Sequence, residues 1–371
     1  MKSNQRPMPA QHLDYLDSAR GIAAVMVMCG HFVRWQYADH MGIKIAGIFF
    51  NGDAAVAFFF VLSGFVLSYK YIVLNHPLDI RKYSVNRVFR LWPAFFFTIV
   101  LNTFFGLNKA PVTGQVLADT FLFDKTTFWE EAMIFWSQQN FYGPGWTLVI
   151  ELGASMFLPF FIALVKKDTR YLYWILFIMV LFGRQVGFGF IAFFVAGMGI
   201  SVLFPYITSP SFRQTKWYRY RYLVLTAACI LFSLRAIDDI SAIAPSAIYL
   251  LNYAGISFYT FSCIASFLFI AAMVCSATLQ HILRNKVFLF LGRISYGIYL
   301  MHWMLVSYAY FYKDDIMKNF SSVKQAYLIV FPVYILSSLL LAVIVHYTIE
   351  LPFMGLGKRI TNRMKPSLTI E

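Results

Sequence analysis

Apolar runs of about 20 residues, each long enough to cross the hydrocarbon core of a bilayer, alternate with short polar stretches along nearly the whole chain. They predict ten helices, near residues 17–37, 46–69, 87–107, 144–165, 170–184, 187–206, 220–236, 245–275, 286–310 and 325–349. Arg184, Gly187 and Gly189 interrupt the stretch that holds the fifth to seventh of these, which reads equally as a broken or re-entrant helix. The expected fold class is therefore all-α, a polytopic integral membrane helical bundle of about ten transmembrane helices. A cytoplasmic N-terminal tail at 1–16 precedes the transmembrane domain at 17–350, and a cytoplasmic C-terminal tail occupies 351–371. Residues 107–143 form the one sizeable outer loop, rich in aromatic and amide side chains and suited to cover a site or meet an extended acceptor.

Composition supports the lipid setting, since 60% hydrophobic, 19% aromatic and 13% charged residues are far from the makeup of a soluble domain. Lysine and arginine gather on the segments assigned to the inner side, among them Lys70, Arg81, Lys82, Lys166, Lys167, Arg170, Lys358 and Arg359, while Asp39, Asp238, Asp239, Asp314 and Asp315 fall outside. That bias places both termini in the cytoplasm. The net charge of +14 reads mainly as topology. Short basic clusters between apolar spans do not form the basic face that nucleic acid requires, so no nucleic-acid partner is expected. No short apolar region with a small-residue cleavage site precedes the first span, which argues against a removable signal peptide. Cys29, Cys229, Cys263 and Cys275 sit in apolar runs without metal-ligand or redox-pair spacing, so they read as small packing residues and no metal is expected.

Ionisable residues inside apolar spans change the picture, because each is costly in hydrocarbon unless it serves a function. Arg20 and His31 lie eleven apart in the first span. Eleven steps of about 100° return a helix almost to its starting direction, so both side chains share one face, roughly 16 Å apart along the axis. An arginine at one end and a titratable imidazole deeper in suggest a path for an anionic substrate.

Six strings, LDYLDSARGIAAVMVMCGH, FFFVLSGFVLS, RVFRLWPA, WTLVIELGASMFLPF, LGRISYGIYLMHW and TIELPF, occur in the order seen in the membrane acyltransferase-3 family, which the chain resembles over nearly its whole length. The resemblance implies an acyl-CoA-dependent O-acyltransferase of cell-envelope carbohydrates, located in the bacterial inner (cytoplasmic) membrane. The implied partners are acyl-CoA, most often acetyl-CoA as co-substrate, a carbohydrate acceptor that is polymeric or lipid-linked, and membrane lipids. Arg20 and His31 match the family's arginine and histidine on the first helix. A neutral imidazole can take the proton from a sugar hydroxyl as it attacks a thioester, which makes His31 the expected general base. Arg20 is expected to bind coenzyme phosphates, with a snorkelling inner-leaflet anchor as the alternative.

Arg87 and Arg90 reproduce the family's paired arginines, and their i,i+3 spacing puts two guanidinium forks on one helix face, suited to phosphate oxygens or to ordinary positive-inside anchoring. Trp146 and Glu151 match the family's tryptophan and glutamate at the start of the fourth span. Glu151 is expected to orient His31, to stabilise its cation or to contact the acceptor, and Trp146 to face a sugar ring or anchor at the interface. Leu152 and Gly153 stand where the commoner pattern has a second acid and a glutamine. Asp53 is expected to hold an acceptor hydroxyl or to cap the second helix. Ser63, Gly64 and Phe65 read first as packing and second as site lining. Ser295 and His302 are nearly in phase on the ninth span, yet no aspartate motif completes a hydrolase triad, so His302 is a supporting or substrate-contact candidate. Glu350 and Pro352 are expected to end the last helix and pair with a basic group. A rival reading makes His31, Glu151 and His302 the proton relay of a transporter or lipid-linked carbohydrate flippase.

Overall fold

In lipid every backbone N–H and C=O must be paired within the segment, and the long apolar runs accordingly fold as helices. The computed structural model describes residues 13–36, 48–104, 129, 130, 132–134, 143–182, 189–240, 258–365, 369 and 370. Residues 1–12 of the expected N-terminal tail, most of the 107–143 loop, residues 245–257, Arg184 and Gly187 lie outside the described residues, while Asp14, Tyr15 and Leu16 of that tail already belong to the first helix. In chain order the main helices are α1 (Asp14–Gln36), α2 (Gly52–Ile72), α3 (Ile80–Phe104), α4 (Gly145–Lys167), α5 (Arg170–Phe182), α6 (Ile191–Ile207), α7 (Arg221–Ile240), α8 (Phe258–Cys275), α9 (Ala277–Leu283), α10 (Lys286–Arg293), α11 (Ser295–Phe311), α12 (Val323–Val345) and α13 (Leu351–Arg363). One antiparallel pair of two-residue strands, Leu78–Asp79 and Thr369–Ile370, accompanies them. The chain is all-α in class.

Among the described residues, four stretches are long and apolar enough to cross a membrane: Asp14–Val33, Gly52–Ile72, Gly145–Lys167 and Val323–Arg363. Two bent pairs raise the number to six if each is one span, Tyr259–Cys275 with Ala277–Leu283 (97°) and Lys286–Arg293 with Ser295–Phe311 (69°). The single ninth helix expected at 286–310 is thus two, because Ile294 leaves the helical region at φ −92°, ψ 6° and Ser295 Oγ turns back to donate to the Gly292 carbonyl. At the other end of the bundle the last helix runs on. A π-helical turn, His346–Glu350, joins α12 to α13, so Glu350 and Pro352 do not terminate it. Glu350 instead accepts from His346 Nδ1 at 2.7 Å within that turn. Single π turns of this kind recur at functional sites.

Helix α2 occupies the centre, packed by α1, α4, α6 and α8. Lipid tails supply no hydrophobic drive between helices, so close contact depends on small residues. Gly64 of α2 and Gly197 of α6 provide it: a Cβ on Gly64 would strike the Phe194 backbone, and one on Gly197 the Val61 carbonyl. Phe60, Phe65 and Phe194 fill the seam, with little or no exposure. Gly64 and Phe65 are therefore packing residues. A second close approach joins α1 to α10, where a Cβ on Gly21 would meet the Leu291–Gly292 backbone and one on Gly292 the Asp17 carbonyl. Through that contact α1 is held against the bent α10–α11 pair.

Candidate active site

Helix α1 carries Arg20 and His31 on one face, and α11, which leaves the bend at Ile294, lies alongside it. His31 Nδ1 and His302 Nε2 are 2.9 Å apart. The ring planes differ by 7° with centroids 5.1 Å apart, so the two imidazoles meet edge to edge in nearly one plane. His302 has no solvent exposure, and its Nδ1 lies 3.0 Å from the Ile298 carbonyl oxygen one turn earlier. Trp303 sets its indole edge-on to His31, with centroids 5.2 Å apart at 78°.

The turn that starts α4 closes on the same place. A Cβ on Gly143 would strike the Trp303 ring, which makes glycine the residue that fits there. Thr147 Oγ1 donates to the Pro144 carbonyl and pairs with the Tyr299 hydroxyl at 2.5 Å, and the Tyr299 ring packs beside His302 at 5.7 Å. The beginning of α4, the middle of α11 and the His31 face of α1 are thereby tied into one assembly.

Glu151 belongs to a separate polar network one turn further along α4. Its Oε1 accepts from Arg87 Nη2 at 2.6 Å and from Ser63 Oγ at 2.9 Å, while Arg87 Nη2 also reaches Ser155 Oγ at 2.9 Å. Ser155 Oγ donates to the Glu151 carbonyl, and its own carbonyl accepts from the Tyr83 hydroxyl. His31 is therefore paired with His302, and Glu151 is engaged with Arg87 and Ser63. Ser63 joins this polar network, which separates it from its packing neighbours Gly64 and Phe65. Arg87 is buried and its Nε has no hydrogen-bond partner among the described residues.

Arg90, one turn on from Arg87, reaches no oxygen acceptor among the described residues and points its Nη1 at Met354 Sδ, 3.9 Å away. Arg20, Arg87, Glu350 and Asp17 all lie within its electrostatic reach. Arg20 itself pairs with Asp17 at 3.1 Å. Arg90 thus carries unspent donors within electrostatic reach of Arg20 and Arg87, a grouping suited to a multiply charged anion.

The remaining candidates fall elsewhere. Asp53 lies in the first turn of α2, but the cap of that helix is Asn51, whose side chain accepts from the Ala54 N–H at 3.2 Å and donates to the Phe232 carbonyl. Trp146 is built into an aromatic cluster with Phe190 (5.3 Å), which in turn meets Tyr259 and Phe60. Residues that sequence reasoning passed over are Ser155, Tyr296 and His346. Tyr296 donates to the Leu91 carbonyl at 2.6 Å beside the arginines. His346 was legible as one half of an i,i+4 pair with Glu350 in HYTIE, a spacing that brings two side chains together on a helix. Among the described residues, no three His, Cys, Asp or Glu side chains gather as a metal site.

A family profile described as an acyltransferase domain matches residues 13–347, from the residue before α1 to the π-helical turn. The chain belongs to the acyltransferase-3 family. Searches of curated proteins and of solved structures found no match. Membership in the acyltransferase-3 family supports a membrane acyltransferase in general terms, and the apolar helices agree with a membrane protein. Within this acyltransferase-3 domain, the imidazole pair and the three arginines lie on α1, α3 and α11, inside the matched range.

Proposed function

We propose that this protein transfers an acyl group, acetyl in the simplest case, from cytoplasmic acyl-CoA to a hydroxyl of a cell-surface polysaccharide or its lipid-linked precursor, in the bacterial inner membrane. In this reading the chain makes ten crossings with both termini in the cytoplasm. The observation that carries the proposal is the hydrogen-bonded His31–His302 pair inside a helical bundle, on the same helix face as Arg20. An imidazole suits proton transfer at neutral pH, and guanidinium groups suit the phosphates of a coenzyme.

The acyl-CoA thioester lies beside His31, with its phosphates held by Arg20 and Arg90 and by the unspent donors of Arg87. The acceptor hydroxyl gives its proton to the His31 imidazole as its oxygen forms a bond to the thioester carbonyl carbon. The tetrahedral adduct collapses, the carbon–sulfur bond breaks, and the imidazolium returns the proton to the departing thiolate, releasing an ester and CoA-SH. Arg87 and Glu151 neutralise one another and hold α3 against α4, which keeps the arginines in register. Direct transfer and a transient acyl-enzyme differ in whether CoA appears before the acceptor is added.

The test compares ester content in envelope glycans from cells that carry the wild-type gene, His31→Ala or no gene. Esters present with wild type and absent in both other strains, with His31→Ala still found in the membrane fraction, support the proposal. Unchanged ester content with His31→Ala removes His31 as the base.

A further inference from the structure

We infer that His302 is a positioning residue that holds His31 in the Nδ1–H tautomer, so that Nε2 is the nitrogen that takes the substrate proton. The inference deepens the acyl-transfer reading and rests on it. The polarity of the pair follows from what each partner can donate. The Ile298 carbonyl only accepts, so the 3.0 Å contact with His302 Nδ1 requires the proton on that nitrogen. A neutral imidazole then carries its lone pair on the other nitrogen, which makes His302 Nε2 an acceptor. The 2.9 Å contact to His31 Nδ1 is therefore donated by His31, whose own lone pair is left on Nε2.

The opposite polarity would need a doubly protonated His302. That cation would have no solvent exposure and no carboxylate among its hydrogen-bond partners among the described residues, a situation that costs several kcal/mol. The proton on His31 Nδ1 stays in place when Nε2 is protonated, so the base gains its charge without rotating the ring or breaking the bond beneath it. The partner of one ring nitrogen sets the role of the other, and a backbone carbonyl on α11 anchors the chain. His302 thus does by a neutral ring what a carboxylate does in other histidine-based sites, without placing a negative charge in the bundle.

The experiment measures acyl transfer by purified His302→Ala, His302→Gln and His31→Ala beside wild type, with purified envelope glycan as acceptor. A second arm records imidazole nitrogen resonances of the wild-type protein labelled with ¹⁵N-histidine, the His31 signals being those lost in His31→Asn. His302→Ala is expected to lower kcat by about 100-fold or more with the KM for acetyl-CoA unchanged. His302→Gln, whose amide oxygen sits near the Nε2 position and accepts the same bond, recovers at least about tenfold of that loss. The resonances are expected to show a protonated Nδ1 and a lone-pair Nε2 on His31. Wild-type kcat in His302→Ala, no recovery in His302→Gln, or a lone pair on Nδ1 overturns the inference. Activity in His31→Ala would instead overturn the acyl-transfer role of His31, which keeps the two failures apart.

Discussion

Glu151→Ala removes the acceptor at the centre of the α2–α3–α4 network, and its cost follows from what it strands. The Arg87 and Glu151 side chains are 10% and 14% exposed and meet at 2.6 Å, so the truncation leaves a desolvated guanidinium whose Nε already lacks a partner. Breaking a buried ion pair from one side costs about 3–5 kcal/mol, and the Ser63 hydroxyl, deprived of its acceptor, adds about 1 kcal/mol. At roughly 2–4 °C per kcal/mol for a domain of this order of size, the apparent Tm in detergent falls by about 10 °C. Glu151→Gln keeps an acceptor oxygen for Ser63 and Arg87, and its loss is about half as large. The double variant Arg87→Met, Glu151→Leu strands no charge, only the Ser63 hydroxyl, and is less destabilised than the sum of Arg87→Met and Glu151→Leu, with a coupling of about 2 kcal/mol or more. Thermal unfolding of the set, followed by intrinsic tryptophan fluorescence, reads all of these. A Glu151→Ala midpoint within about 2 °C of wild type, or strict additivity in the double variant, refutes the reasoning.

Arg90 offers the contrast, since its guanidinium has no oxygen acceptor among the described residues; Arg90→Ala leaves the Tm unchanged or higher while raising the KM for acetyl-CoA about tenfold, whereas Arg87→Ala lowers both stability and coenzyme affinity. Gly197→Val forces a side chain into the Val61 carbonyl at the α2–α6 seam and lowers stability by about 3 kcal/mol or more, seen as loss of the monodisperse peak in size-exclusion chromatography. Glu350→Leu removes the acceptor of a buried His346 and destabilises the π-helical turn by about 1–3 kcal/mol, measured as faster proteolysis at the α12–α13 junction. An unchanged KM in Arg90→Ala, a monodisperse Gly197→Val or wild-type proteolysis of Glu350→Leu refutes the corresponding expectation.

Hydrophobic runs and family strings made the helical class and the acyltransferase-3 family legible, because both rest on local signals. The Arg20–His31 face follows from helix geometry alone, and the structure keeps both on α1. The partner of His31 was not readable as such, since the contact to His302 joins positions 271 residues apart and depends on how α1 and α11 cross. A lone imidazole in an apolar span needs a partner, and that requirement was the one available hint. The bend at Ile294 was invisible for a different reason: both sides of it are apolar, and periodicity does not register a change of axis. Glu151 shows how motif position and contact diverge. Its place at the start of the fourth span marked it as important, yet the i,i+3 pair Arg87 and Arg90 split, with Arg87 turned to Glu151 and Arg90 turned to the α13 methionine. The run through Glu350 into α13 was missed because proline in the first turn of a helix, here Pro352 at the second position of α13, starts a helix as readily as it follows the end of one.

Labelled acyl transfer in sealed vesicles decides whether His31 moves acyl groups from a thioester to an alcohol. Wild-type protein, supplied with [¹⁴C]acetyl-CoA on the arginine-bearing side and envelope glycan on the other, is predicted to deposit label on the glycan and release CoA-SH in equal amounts, with His31→Ala giving neither. Label that stays on the coenzyme while the glycan or its lipid-linked precursor crosses the vesicle wall would contradict the account and favour a transporter.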